Sequence, residues 1–175
     1  MFISSDRRFN FQNLVIFEMA NNHQGSMAHG LAIIREFAAL ARDLGIRAAI
    51  KLQFRELDSF IHEDAKRQSE NKHVQRFLST RLSLDEFRIL VDEIHAQGLV
   101  SMCTPFDEPS VEALQKLGIQ ILKIGSCSAQ DWPLLARVAD SGKPVLCSTA
   151  GLPLSDVDKI VSFFEHRGVD FALMH

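Results

Sequence analysis

Two short apolar runs each carry a lysine in their middle: Ile121–Leu122–Lys123–Ile124–Gly125–Ser126 and Ala48–Ala49–Ile50–Lys51–Leu52–Gln53–Phe54. Their β-branched and aliphatic content and their length read as buried strands. An ammonium costs several kcal/mol to bury uncompensated, so each lysine must be paired or hold an anion. A third run, Leu14–Val15–Ile16–Phe17–Glu18–Met19–Ala20, ends with a carboxylate at the matching place. Two lysines at strand ends suit binding of a small anion, a phosphate, a carboxylate or both.

The elements that must position these groups alternate along the chain. Strand signals fall at 14–20, 48–54, 99–106, 121–126, 144–149 and 171–175. Between them lie helical patterns with recognisable starts and stops. Ser26 is a good N-cap for a helix carrying Leu31, Ile34, Phe37, Ala38, Ala41 and Leu44, closed by Gly45. Ser83–Leu84–Asp85–Glu86 is a capping box before Phe87, Leu90, Val91 and Ile94. Asp107 can cap the next helix. Trp132–Pro133 opens another, Trp132 reading as a packing anchor, and Ser155–Asp156–Val157–Asp158 reads as the cap of the last. Residues 55–82 form a charged insertion after the second strand, too long for an ordinary connection. It is a functional excursion with a short helix, a mobile lid or a solvated surface insertion.

Strands alternating with helices imply a parallel sheet with right-handed crossovers. An open doubly wound sheet concentrates its ligand at one switch point, whereas a β/α barrel carries polar groups at the C-terminal end of nearly every strand. Here Glu18, Lys51 with Gln53, Thr104, Lys123 with Ser126, Ser148 and His175 end all six strands. The fold class expected is therefore a (β/α)8 TIM barrel, of which this chain supplies about six strands and five helices. That is short by about two βα units against a usual barrel of roughly 250 residues. Residues 1–175 read as an incomplete N-terminal portion of a barrel domain, with 1–13 as a lead-in. Side chains alternate faces along a strand. With Lys51 pointing inward, Ala49 and Gln53 follow it, while Ile50, Leu52 and Phe54 face the helices. The same parity turns Glu18, Thr104, Lys123 and Ser148 toward the barrel mouth.

At 175 residues and 46% hydrophobic the chain can bury a real core. A net charge of −3 gives no basic field, so nucleic acid and anionic membrane are poor partners. No apolar run approaches a bilayer span, and Met1–Arg8 holds no signal core. Cys103, Cys127 and Cys147 cannot all pair and lack zinc spacing. They read as small buried hydrophobes in a reducing compartment, and the expected location is cytoplasmic.

The motifs also resemble a known family. Phe17–Glu18–Met19–Ala20–Asn21–Asn22–His23–Gln24–Gly25–Ser26 looks like the first-strand turn of the sialic acid synthases. Lys51–Leu52–Gln53, Ser101–Met102–Cys103–Thr104–Pro105–Phe106, Lys123–Ile124–Gly125–Ser126 and Gly142–Lys143–Pro144–Val145–Leu146–Cys147–Ser148–Thr149 are similar to its later blocks, in the same order. Ala172–Leu173–Met174–His175 resembles the block that follows. The resemblance implies condensation of phosphoenolpyruvate with an N-acetylmannosamine-type amino sugar, giving a nonulosonic acid and phosphate. It implies Glu18, Lys51 and Lys123 as catalytic residues. Asn22, His23, Gln53, Thr104, Ser126, Ser128, Ser148 and His175 would bind substrate. A divalent metal, manganese or magnesium, is expected for the full-length protein, with ligands beyond residue 175. A homodimer completed by a C-terminal antifreeze-like domain is expected too, and both that domain and the later strands are absent here. One departure is plain: Ser128 stands where the family usually has a glutamate. Two alternatives stay open, a Schiff-base aldolase using Lys123 or Lys51 and a non-catalytic sugar- or phosphate-binding barrel.

Overall fold

The computed structural model describes residues 8–68 and 70–175. Among them, six strands form one parallel sheet: β1 Leu14–Ala20, β2 Arg47–Phe54, β3 Val100–Pro105, β4 Ile121–Ile124, β5 Val145–Ser148 and β6 Phe171–Met174. Each strand pairs with the one before it, so spatial order equals chain order. Five crossover helices return the chain: α1 Met27–Asp43, α5 Leu84–Ala96, α6 Glu108–Lys116, α7 Trp132–Asp140 and α8 Leu154–His166. This is the sheet and helix arrangement of a TIM barrel, open between β1 and β6.

The insertion holds three short helices rather than one: α2 Leu57–Phe60, α3 Glu63–Gln68 and α4 Lys72–Ser79. It is docked on the barrel. Leu57, Ile61 and Leu82 are buried, the Arg81 guanidinium bonds both carboxylate oxygens of Asp58 at 3.3 and 2.9 Å, and Glu56 N–H donates to Asp107 and to Ser110 Oγ.

The strand parity deduced above holds. Ile50, Leu52, Phe54, Cys103, Leu122, Ile124, Val145 and Cys147 lie under the helices in one large apolar cluster. Ala49, Met102, Ile121 and Leu146 form a second cluster inside the curve of the sheet, with Ile16, Val100 and Ala172 against it. From below, Phe9 and Phe11 of the lead-in join this inner cluster, and Phe9 N–H donates to Asp170 at 2.7 Å. The inner cluster forms an apolar floor, and the charged side chains stand above it.

The helix caps follow the sequence at Ser26, Ser83 and Asp107, whose side chains each accept a backbone N–H, and Asp131 does the same for the helix that Trp132 opens. The last helix differs. Its cap is Pro153, and Leu154 is already helical. Proline fixes φ and its carbonyl accepts from Asp156 and Val157, so the helix begins two residues before the expected Ser155 cap reaches a capping position. Leu44, expected on the buried face of α1, is the exposed C-cap instead. Among the cysteines Cys103 and Cys147 are buried as expected, whereas Cys127 is exposed, because β4 ends at Ile124 and a 3₁₀ turn over Ser126–Ser128 turns outward. Trp132 packs edge-on against Phe163 of the next helix. No helix among the described residues is long and apolar enough to cross a membrane.

Candidate active site

Glu18 and Lys51 are register partners on β1 and β2, and their side chains meet at 2.5 Å between Oε2 and Nζ. The lysine side chain is 11% exposed and the glutamate's 51%, so the pair has one end in the barrel and the other in water. A bulge at Met19 follows at once: Glu18 faces Lys51, but Ala20 faces Leu52, and Ala20 turns to φ 46°. Bulges re-aim side chains where strands terminate near sites. This one starts the Asn21–Gly25 turn at the mouth.

Lys123, one strand pair further round, is 7% exposed. Its Nζ donates to Ser148 Oγ at 2.6 Å and to the Ile124 carbonyl at 2.9 Å. An ammonium has three N–H donors, so one is left for a ligand. Burial first, and the neighbouring Lys51 second, push the Lys123 pKa below the ordinary lysine value. Two like charges share this mouth with one half-exposed carboxylate, an arrangement that an added anion relieves. Thr104, opposite Gln53 on β3, is 3% exposed and its Oγ1 is buried with no hydrogen-bond partner. Orphan hydroxyls in a native interior are uncommon, and an oxyanion between the two lysines would answer their charges.

The other residues singled out in the sequence fall around this centre in different ways. Ser148 is engaged by Lys123. Ser126 is exposed on the turn after β4, and Ser128 lies half-buried two residues on, its hydroxyl 3.8 Å from Cys127 Sγ. Asn22 is exposed, and His175 is exposed just past β6. His23 turns the other way. It is 1% exposed, its Nδ1 accepts from Gly25 N–H at 3.1 Å, and its ring meets Phe87 edge-on. Burial holds its pKa below the ordinary imidazole value.

That last feature fixes a pH dependence. The folded chain resists protonating His23, whereas the unfolded chain takes up the proton at about pH 6.5. Stability is therefore full above that value and falls as pH drops toward the lowered folded pKa. The denaturation midpoint should decrease between pH 7 and pH 5, and His23→Asn, which keeps an acceptor for Gly25, should flatten that decrease. An unaltered slope in the variant would assign the acid sensitivity to other groups.

Arg55 is the residue that sequence reasoning missed, having been absorbed into the charged insertion. It directly follows β2, and its guanidinium lies 3.5 Å from the Phe106 ring centre and 4.2 Å from that of Phe77. It lines a cleft of about 570 Å³ between the insertion and the β1 turn, together with Asn21, Gln53, Glu56, Thr80 and Phe87. The available signal was an arginine next to a site strand with phenylalanines at 54, 60, 77 and 106 able to enclose it.

Comparison with known proteins decides the family. The NeuB family model matches residues 39–175. The chain belongs to the NeuB family. This is the sialic acid synthase family that its motifs resemble, and solved members share the fold. A spore coat polysaccharide biosynthesis protein E from Chromobacterium violaceum superposes with a TM-score of 0.90 at 49% identity, over 94% of this chain and 49% of that one. An N-acetylneuraminic acid synthetase from Leptospira borgpetersenii, solved in complex with citrate, gives 0.77 at 28% identity, over 97% of this chain and 59% of that one. The N-acetylneuraminate-9-phosphate synthase of Drosophila melanogaster is 28% identical, over 92% of this chain and 44% of its own length. This NeuB-family chain thus spans about half the length of the curated relatives it matches. Among its described residues no three His, Cys, Asp or Glu side chains are placed to hold a metal ion.

Proposed function

We propose that this chain carries the phosphoenolpyruvate-binding half of a nonulosonic acid synthase, which condenses phosphoenolpyruvate with an N-acetylmannosamine-type sugar and releases phosphate. The observation that carries the reading is the pair of Lys51 and Lys123, two buried cations close enough to repel each other, above an apolar floor. This reading adds Thr104, which stands opposite Gln53 on the neighbouring strand. Phosphoenolpyruvate has two anionic groups, and two lysines with neighbouring hydroxyls suit them. In the reaction, the enol carbon of phosphoenolpyruvate bonds to the sugar aldehyde, water adds to the phosphate-bearing carbon, and the C–O bond to phosphate breaks. Lys51 and Lys123 stabilise the anionic groups, and Glu18, held at Lys51, is placed to take a proton from that water. Relatives that make N-acetylneuraminate 9-phosphate and N,N'-diacetyllegionaminic acid support this class of product.

A divalent metal, manganese or magnesium, belongs to the same reading, as do a homodimer and a cytoplasmic location. The described residues do not themselves fit a metal, so none of the roles above passes through one. The chain alone is accordingly expected to bind phosphoenolpyruvate without turning it over. Calorimetric titration should give a single site, weakened about tenfold by Thr104→Val, whose lost bond is a charge-assisted one. Phosphate release in the presence of N-acetylmannosamine should stay at background. Absence of phosphoenolpyruvate binding would overturn the site assignment, and turnover by the chain would overturn the division of labour.

One observation favours a second reading. A lysine with a lowered pKa is more readily the free amine that a Schiff-base aldolase needs. Borohydride reduction in the presence of pyruvate separates the two, because only the aldolase acquires a covalent adduct on Lys123.

A further inference from the structure

We propose that α4 is a lid over the cleft, held shut by a cation–ring latch between Arg55 and Phe77. The proposal goes beyond the synthase reading and does not depend on it. The Arg55 guanidinium is layered between a ring of the barrel and a ring of the insertion. Phe106, which directly follows β3, lies 3.5 Å away, and Phe77 of α4 lies 4.2 Å away. A planar guanidinium stacks on aromatic faces in a way that an ammonium does not. Phe77 is also the ring through which α4 meets α2, at 6.2 Å from Phe60. α4 has no buried residue of its own, and Leu78 beside the latch is exposed. α2 is anchored differently, through buried Leu57 and Ile61, so the two helices are not equally fixed.

Two features keep the latch from being tight. The Arg55 Nε is shut off from solvent with no hydrogen-bond partner, and Nη1 reaches Gln53 Oε1 only at 3.5 Å. Among the described residues no carboxylate lies within ion-pair distance of the guanidinium. A cation kept from water at such cost gains hydration when the ring above it lifts. Arg76, on α4 itself, adds a second positive charge toward Arg55, and burial first and that charge second lower the Arg55 pKa to about 10. Ring attraction and lost hydration thus oppose each other across one contact, the balance expected of an element that opens without unfolding the barrel. Past α4 the chain is fixed again, by Arg81 on Asp58 and by buried Leu82, which confines the movement to residues 72–80. Lifting α4 takes Phe77 and Thr80 out of the cleft wall and leaves Asn21 and Gln53, on the barrel side, open to a ligand.

Amide hydrogen exchange of the whole chain reads the latch. In the wild type the amides of 73–79 should exchange through an opening that is insensitive to low denaturant, while those of β2 and β3 wait for the sheet to unfold. Phe77→Leu and Arg55→Lys should each speed exchange in 73–79 roughly tenfold, and the double variant should gain little over either single one, because both remove the same contact. Exchange in α5 and the melting midpoint should hold in all three. Spin labels at Lys72→Cys and Lys116→Cys, in a Cys127→Ser background, separate a lid from a frayed helix. Their distance distribution should hold two populations, and Phe77→Leu should move weight from the first to the second. A single population that is the same with and without Phe77→Leu overturns the proposal. So does additive acceleration in the double variant, or acceleration that reaches α5 equally. Wild-type exchange alone decides against the lid, with no variant needed, if 73–79 open only together with the sheet.

Discussion

Lys123→Met should lower phosphoenolpyruvate affinity about a hundredfold while the thermal midpoint holds or rises. The loss follows from removing a buried ammonium whose third N–H faces the proposed anion, a charge-assisted bond worth roughly 1.5–3 kcal/mol. The gain follows from the same burial. In the folded chain Lys123 is desolvated and faces Lys51, which lowers its pKa, so the unfolded chain binds the proton more readily. Below the lowered pKa the charged lysine thus costs stability. That cost fades as pH rises toward the ordinary lysine value of about 10.4. Methionine fills nearly the same volume without the charge, and Ser148 Oγ keeps access to solvent at the mouth. Opposite signs for binding and stability mark a residue kept for its ligand. A variant that loses both together would make Lys123 a structural support. In the wild type, phosphoenolpyruvate binding should also weaken as pH rises through the lowered pKa, earlier than for an unperturbed lysine.

Gly25→Ala should destabilise the chain by about 2–3 kcal/mol and expose the insertion to protease. Gly25 has φ 75°, in the left-handed region, and a Cβ there would lie 2.7 Å from the Ser79 carbonyl oxygen and 3.4 Å from Thr80 Cα. Backbone strain accounts for about 1 kcal/mol, and the rest is the clash with backbone at the end of α4. Gly45→Ala is the control. Its φ is 61°, but nothing lies within 4 Å of the added atom, so only the strain should register. The informative quantity is the difference between the two melting points, read with limited proteolysis across 57–81. Equal losses would mean that the β1 turn does not hold the insertion in place.

The two lysine strands were legible because lysine is so costly in an apolar run that only the inward face could take it. Period-two alternation then placed Ala49, Met102 and Leu146 without further information, and the structure puts all three in the inner cluster. Crossover helices were legible through their caps, except where a proline started α8 without a side chain. The insertion was not legible. Its helices are short, α4 carries no buried residue, and it meets Gly25 and Asp107, which lie outside it in sequence. His23 shows the same limit from the other side. A histidine in a polar turn offers no sequence signal for which way its ring will face, and here packing against Phe87 decided it.

The identity of spatial and chain order in the sheet has a consequence for how the chain reaches this state. Each strand needs only its predecessor as a template, so the sheet can grow by stepwise addition from β1 while synthesis is still under way. The steps are unequal. Pairing β3 with β4 brings together residues about 20 apart, as with Met102 and Ile121, whereas pairing β2 with β3 joins Ala49 to Val100, about 50 apart. Loop closure over the longer span costs about 0.8 kcal/mol more. The insertion that walls the cleft is thus also the largest entropic step in assembling the sheet.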